Sequence, residues 1–139
     1  MKITFLGHAT LEIQINEFNL LVDPFISGNP MASNVDLDDL KPDFILITHA
    51  HQDHTLDVEK LAKDNNSLII SNFEIVSHFQ NIGLNGHPMN HGGKWNFDFG
   101  ELKYVNAIHT STFPDGSNGG QPGGFIITSN NKSIYIAGD

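Results

Sequence analysis

No cysteine occurs in the sequence, which excludes disulfides and thiolate metal sites and leaves any metal to nitrogen and oxygen ligands. Basic residues are scarce: seven Lys and Arg stand against sixteen Asp and Glu, for a net charge of −9. That balance argues against a broad basic surface for nucleic acid, while leaving a local cationic site open. No apolar run approaches the roughly 18 residues of a membrane helix. The N-terminal stretch "MKITFLGHATLEIQIN" has neither a continuous apolar core nor a small-residue cleavage site, so the expectation is a cytoplasmic protein with no membrane partner. Walker and dinucleotide fingerprints are missing as well. What is there, 139 residues with 39% hydrophobic and 17% charged content, suffices for one folded domain without internal repeat or linker.

The apolar residues fall into short runs of strand character. Ile3, Phe5 and Leu6, then Leu11, Ile13 and Ile15, predict two strands around a turn at Gly7. "FNLLVDPF" supplies a third strand that Pro24 ends, completing an antiparallel meander. "DFILITHA" and "SLIIS" read as buried strands. Between them, Leu56, Leu61 and Ala62 predict a short helix from Thr55 to about Asp64. Next, Ser71 and Glu74 form an S-x-x-E capping box, Ile75, Val76, Phe79 and Ile82 recur at helical spacing, and Gly83 stands where a C-cap belongs. "KWNFDFG", "ELKYVNAIHT", "GFIITSN" and "KSIYIAGD" return to strands, the last two joined by a tight turn at "NNK". The apolar run "IYIA" comes just before Asp139, and a buried strand there calls for a covering element. The chain is therefore expected to be the N-terminal part of a larger domain.

Three of the eight histidines lie within six residues of "ILITHAHQDHTLD", in the pattern H-x-H-x-D-H occupied by His49, His51, Asp53 and His54. In extended backbone, residues two apart point the same way, so His49 and His51 can converge on one ion beyond the strand end. Asp53 and His54 follow on a turn and can face a second ion. Neutral imidazole and carboxylate suit Zn²⁺, Mn²⁺ and Fe²⁺ alike.

The H-x-H-x-D-H run, the upstream "LLVDP", the later "AIHTS" and the terminal "IAGD" resemble four successive motifs of the metallo-β-lactamase superfamily. More narrowly, "LGHAT", "VDPFISGNP", "NHGGKWNFDFG" and "PGGFIITSNNKSIYIAGD" resemble a bacterial group of metal-dependent hydrolases related to the ascorbate-6-phosphate lactonases. The resemblance spans residues 1–139 and implies an α/β fold, the αββα sandwich, of which this chain would supply the N-terminal half to two-thirds as one C-terminally truncated domain. It implies two divalent metal ions, Zn²⁺ foremost, with Mn²⁺ or Fe²⁺ as alternatives. His49, His51 and His109 match ligands of the first ion, Asp53 and His54 ligands of the second, and Asp139 the carboxylate that bridges them. The family's remaining ligand to the second ion is a histidine on a later loop, beyond Asp139. Asp23 matches an acidic residue that orients a ligand histidine by accepting its other N–H; the lesser alternative is a plain turn aspartate before Pro24.

Two cations about 3.5–4 Å apart can share a hydroxide and bring the pKa of water down to about 7. The expected chemistry is therefore hydrolysis of an ester, lactone or phosphodiester in a small-molecule substrate, with Asp53 also a catalytic candidate for accepting a proton from water. A nuclease would call for more basic residues. A catalytically weak metal-binding fragment is the alternative if the missing ligand leaves one site incomplete, and an oxygen-reducing diiron member would carry an acidic residue in place of His51. The resemblance puts His8 near the site mouth, in a substrate-facing or local hydrogen-bonding role rather than as a ligand. His91, in "NHGG", is a candidate for the site wall, and His78 and His87 are expected at the surface. The loop "STFPDGSNGGQPGG" after His109 is expected to line the site.

Overall fold

A computed structural model describes residues 1–139, all of the chain. Six strands form the first sheet, in the order β1 (Lys2–Gly7), β2 (Thr10–Ile15), β3 (Phe18–Val22), β4 (Phe44–Leu46), β5 (Leu68–Ser71) and β6 (Gly86–Pro88). The first three pair antiparallel, as the meander predicts, and β3 to β6 run parallel. The second sheet is antiparallel and holds β7 (Lys94–Phe97), β8 (Gly100–Asn106), β9 (Gly123–Ser129) and β10 (Lys132–Ile136), with β10 and β7 at its edges. Helices α1 (Gln52–Thr55) and α2 (Val58–Asn65) fill the crossover from β4 to β5 and α3 (Phe73–Gln80) that from β5 to β6, while β3 connects to β4 through two short 3-10 turns, Pro30–Ala32 and Leu37–Asp39.

Side chains alternate across a strand, so a strand buried on both faces feeds two cores. Leu20, Val22, Leu46 and Ile70 point between the sheets, where they meet Leu102, Tyr104, Phe125 and Ile127 of the second sheet. Their neighbours Leu21, Ile45, Ile47 and Ile69 point the other way, onto Val58, Leu61 and Ala62 of α2 and Ile75 and Phe79 of α3. The result is three layers of the αββα sandwich: helices, first sheet, second sheet. No helix is long and apolar enough to cross a membrane. The β9–β10 turn has both Asn130 and Asn131 in the left-handed region, at φ 51° and 59°, which is the geometry of a two-residue hairpin loop.

Local boundaries differ from the sequence reading in instructive places. The helix expected from Thr55 begins earlier, inside the histidine motif, and breaks into α1 and α2 around Leu56 and Asp57. Asp57 is drawn aside because its buried carboxylate accepts from the backbone N–H groups of Ile26 and Ser27 and from the Ser27 hydroxyl. Leu56 consequently turns outward and is 38% exposed. The cap of α3 is Asn72, whose side chain accepts from Ile75 N, and not Ser71, whose hydroxyl donates to Ile47 O at 2.6 Å. Ile82, placed in the core by its spacing, lies beyond the helix end and is 52% exposed. "DFILITHA" is a strand over Phe44–Leu46 alone, and β8 stops at Asn106, which leaves His109 on the loop beyond it. Strand β6 has no counterpart in the sequence reading, since Gly-His-Pro carries no strand signal and is held by its pairing with β5.

Candidate metal centre

All four parallel strands point their carboxyl ends to one rim, and the chemistry-bearing side chains gather there. Asp23 directly follows β3, and the segment from Thr48 to His54 follows β4. Ala50, between His49 and His51, donates its N–H to Ser111 Oγ at 3.1 Å. Ser111 Oγ in turn donates to Gly119 O, so the glycine-rich loop after His109 is fastened beneath the motif. Gly119 is glycine for want of space: a Cβ there would collide with that of Ala50. Asn72 ties down the same loop through Gly119 O and Gln121 O, at 2.7 and 3.0 Å.

Asp23 is the electrostatic centre of this rim. It is buried with a left-handed backbone, φ 44°, an uncommon conformation for a residue other than glycine that collects at functional sites. Its carboxylate accepts from Thr48 N at 2.8 Å and Thr48 Oγ1 at 2.7 Å, and lies 3.0 Å from His54 Nδ1. Because the Thr48 hydroxyl gives its one proton to Asp23, it can only accept from His49 Nδ1, 2.9 Å away. One carboxylate thus fixes the tautomer of two histidines, His54 directly and His49 through Thr48, leaving Nε2 of each free to ligate.

The ligand atoms come together in three overlapping groups, each within 4.8 Å: His49, His51 and His109; His8, Asp53 and His54; His49, His54 and Asp139. Nε2 of His49 and Nδ1 of His51 are 3.0 Å apart. Asp139 Oδ2 stands 3.5 Å from His54 Nε2 and 3.9 Å from His109 Nε2, between the two halves of the cluster. Burial, with the neighbouring imidazoles of His54 and His51, lowers the His49 pKa to about 3, so its ring is neutral at ordinary pH. For His54, burial opposes the charge, but the Asp23 hydrogen bond and the carboxylates of Asp23, Asp139 and Asp53 outweigh it and raise the pKa. Burial likewise opposes ionisation of Asp53, yet its backbone N–H and the imidazoles around it hold its pKa below the ordinary value.

The donor set fits divalent cations. His54 Nε2 is buried and has no hydrogen-bond partner. An orphan nitrogen of this kind, with its ring locked from the far side and a carboxylate opposite, is what a cation site presents.

The sequence-predicted residues divide clearly. His49, His51, Asp53, His54, His109 and Asp139 converge, and Asp53 and His54 do so from α1 rather than from a turn. His8 also reaches the cluster, with Nε2 3.0 Å from Asp53 Oδ2. His91 does not: it faces Pro122 O at 3.0 Å and lines a separate polar recess of about 500 Å³ with Asn72, Glu74, Asn90 and Asn118. His78 and His87, expected at the surface, are half-buried against aromatic rings. His78 stacks on Phe113 with centroids 3.9 Å apart, and His87 leans on Trp95 and Phe97, burial lowering its pKa. Sequence reasoning missed Thr48, Asp57, Asn72 and Ser111. Two of them had a signal: Thr48 as a lone hydroxyl between buried Ile47 and His49, and Asn72 as a capping-type residue before the α3 pattern.

Helix, sheet and sheet in that order, with nitrogen and oxygen ligands along one rim, define a metallo-β-lactamase fold. The chain belongs to the beta-lactamase superfamily domain family, whose model matches residues 18–139. It is 60% identical over its whole length to a UPF0173 metal-dependent hydrolase of Flavobacterium johnsoniae and 61% identical to one of Christiangramia forsetii. It spans 62% of the length of each of these relatives. Among solved structures it resembles Igni18, a metallo hydrolase from Ignicoccus hospitalis, with a TM-score of 0.85 and 29% identity over 99% of this chain and 60% of that one. An isothiocyanate hydrolase from Delia radicum gut bacteria gives a TM-score of 0.77 and 27% identity, covering 100% of this chain and 62% of that one.

Proposed function

We propose that the chain carries most of the centre of a metal-dependent hydrolase that holds two divalent ions and cleaves an ester, lactone or phosphodiester in a small molecule. The observation that carries this reading is Asp23, one buried carboxylate that turns Nε2 of both His49 and His54 towards the cluster. His49, His51 and His109 would hold the first ion, Asp53 and His54 the second, and Asp139 would be shared. The nitrogen-rich set suits Zn²⁺, with Mn²⁺ and Fe²⁺ as alternatives. Bound there, such ions supply Lewis acidity, polarising the oxygen of the bond to be cleaved and acidifying water.

The protein's part is positioning and proton handling. Asp23 and Thr48 hold the two rings in place, and the Ser111–Gly119 contacts fix the backbone between His49 and His51. Asp53, partly exposed and kept ionised by the imidazoles around it, can accept a proton at a carboxylate oxygen.

Metal analysis after Zn²⁺ loading and dialysis, with assays on p-nitrophenyl acetate, a γ-lactone and bis(p-nitrophenyl) phosphate, tests the reading. Two ions per chain and chelator-sensitive turnover of at least one substrate are expected; a chain that retains no ion overturns it. A second reading, metal binding with little turnover, has one observation in its favour: the family ligands within this chain give the second ion only Asp53, His54 and the shared Asp139. It predicts full metal content without hydrolysis.

A further inference from the structure

His8 approaches the second ion position from outside the H-x-H-x-D-H motif. Its Nε2 lies 3.0 Å from Asp53 Oδ2, and its ring meets that of His54 edge-on with centroids 5.1 Å apart. Phe25 closes the other side, also edge-on, at 5.7 Å. One ligand atom from each of His8, Asp53 and His54 falls within 4.8 Å of the others. Around a tetrahedral Zn²⁺ with ligands at 2.0–2.1 Å, neighbouring donor atoms stand about 3.4 Å apart, close to the spacing between His8 and Asp53.

The backbone is bent to bring the ring there. His8 has φ 53° and Gly7 φ 113°, and the β1–β2 register shifts between Phe5 and Gly7. At Gly7 a side chain would press on Asn29 Nδ2 at 2.9 Å, so the bend is also tightly packed. Left-handed backbone is uncommon at a residue other than glycine and collects at functional sites. The buried, partnerless Nε2 of His54 is an independent sign of a cation in the same neighbourhood.

We propose that His8 is a third protein ligand of the second ion, binding through Nε2 beside Asp53 and His54. This rests on the two-ion reading above and departs from the expectation that His8 serves substrate or a local hydrogen bond. It gives the second ion a nitrogen and oxygen set within residues 1–139, with ligands from the β1–β2 hairpin as well as from α1.

The test is a titration of the metal-free chain with Co²⁺, read by calorimetry and by the visible absorption of the bound ion, on wild type and two variants. His8→Asn suits the left-handed backbone but shortens the reach. His8→Gln keeps the reach for a hydrogen bond to Asp53 and removes the imidazole. Wild type is expected to take two Co²⁺, and each variant to keep the first at unchanged affinity while losing tenfold or more at the second. Two ions at wild-type affinity in His8→Asn overturn the proposal. So does recovery in His8→Gln, which would make His8 a positioning partner of Asp53. A wild-type chain that takes one ion removes the second position and this proposal with it; one that takes none removes the metal-centre reading itself.

Discussion

Asp23 and His54, 31 residues apart in sequence, meet inside the protein with carboxylate Oδ2 3.0 Å from imidazole Nδ1. Neither side chain is open to solvent, at 1% and 0% exposure, so the pair is shielded from the water that weakens surface ion pairs. Asp23→Ala strands the Thr48 and His54 donors and is expected to cost about 3 kcal/mol of stability. It should also lower metal affinity about 10–100-fold. Denaturant melts of the metal-free chain and a competition titration with a chromophoric chelator measure the two effects separately.

Thr48→Val tests the relay from the same carboxylate to His49. The replacement keeps shape and removes the hydroxyl that fixes the His49 tautomer. Affinity for the first ion should fall about tenfold while the second is little changed. Equal loss at both ions would mean that Thr48 acts on the whole rim and not on His49.

Asp53→Asn removes the group assigned to accept a proton. Turnover should drop by about 100-fold or more at saturating metal, with the fold intact. An unchanged rate at full metal content rules out that role.

The metal-free chain should lose stability on mild acidification. Because the His49 pKa is held at about 3 in the fold against an ordinary 6.5, the unfolded chain takes up a proton that the folded chain refuses. This contribution is complete above pH 6.5 and is lost as the pH falls from there towards 3. His54 has the opposite sign: its raised pKa stabilises below the ordinary value and that support is lost as pH rises through the folded value. His49→Gln isolates the first effect, and thermal melts at pH 7 and pH 5 should differ less in the variant than in wild type. An identical difference in both would assign the acid sensitivity to other groups.

Asn72→Ala removes the α3 cap and two bonds to the glycine-rich loop. A loss of about 2 kcal/mol is expected, at the upper end for a helix cap. Limited proteolysis should show faster cleavage between Gly116 and Gly120, and unchanged cleavage would mean that the Ser111 contacts alone hold the loop.

Much of this was legible because its signals are local. Apolar runs, alternating or continuous, marked strands β1 to β5 and β7 to β10, and four ligand-type side chains within six residues exposed the heart of the cluster. The missed parts depend on distant partners. Ser71 and Asn72 are both good capping residues, and the carbonyl of Ile47, 24 residues away, takes the Ser71 hydroxyl and leaves the cap to Asn72. Ser111 matters because its hydroxyl meets Ala50 N, 61 residues back. His87 reads as a polar residue before a proline until β6 pairs with β5 and sets it against Trp95. Reading His8 from its neighbours left two roles open, since nothing local tells that the hairpin tip bends towards Asp53.

The residues proposed for the first ion come from opposite layers, His49 and His51 from the segment that follows β4 of the six-stranded sheet and His109 from the loop after β8 of the four-stranded one. A cation gripped by all three would act as a rivet through one end of the sandwich, closing a ring of some 60 residues with no covalent bond. Without it that end would rest on the Ala50–Ser111, Asn72–loop and Thr48–Gly123 hydrogen bonds, so metal loading would show as added resistance to melting as well as in turnover.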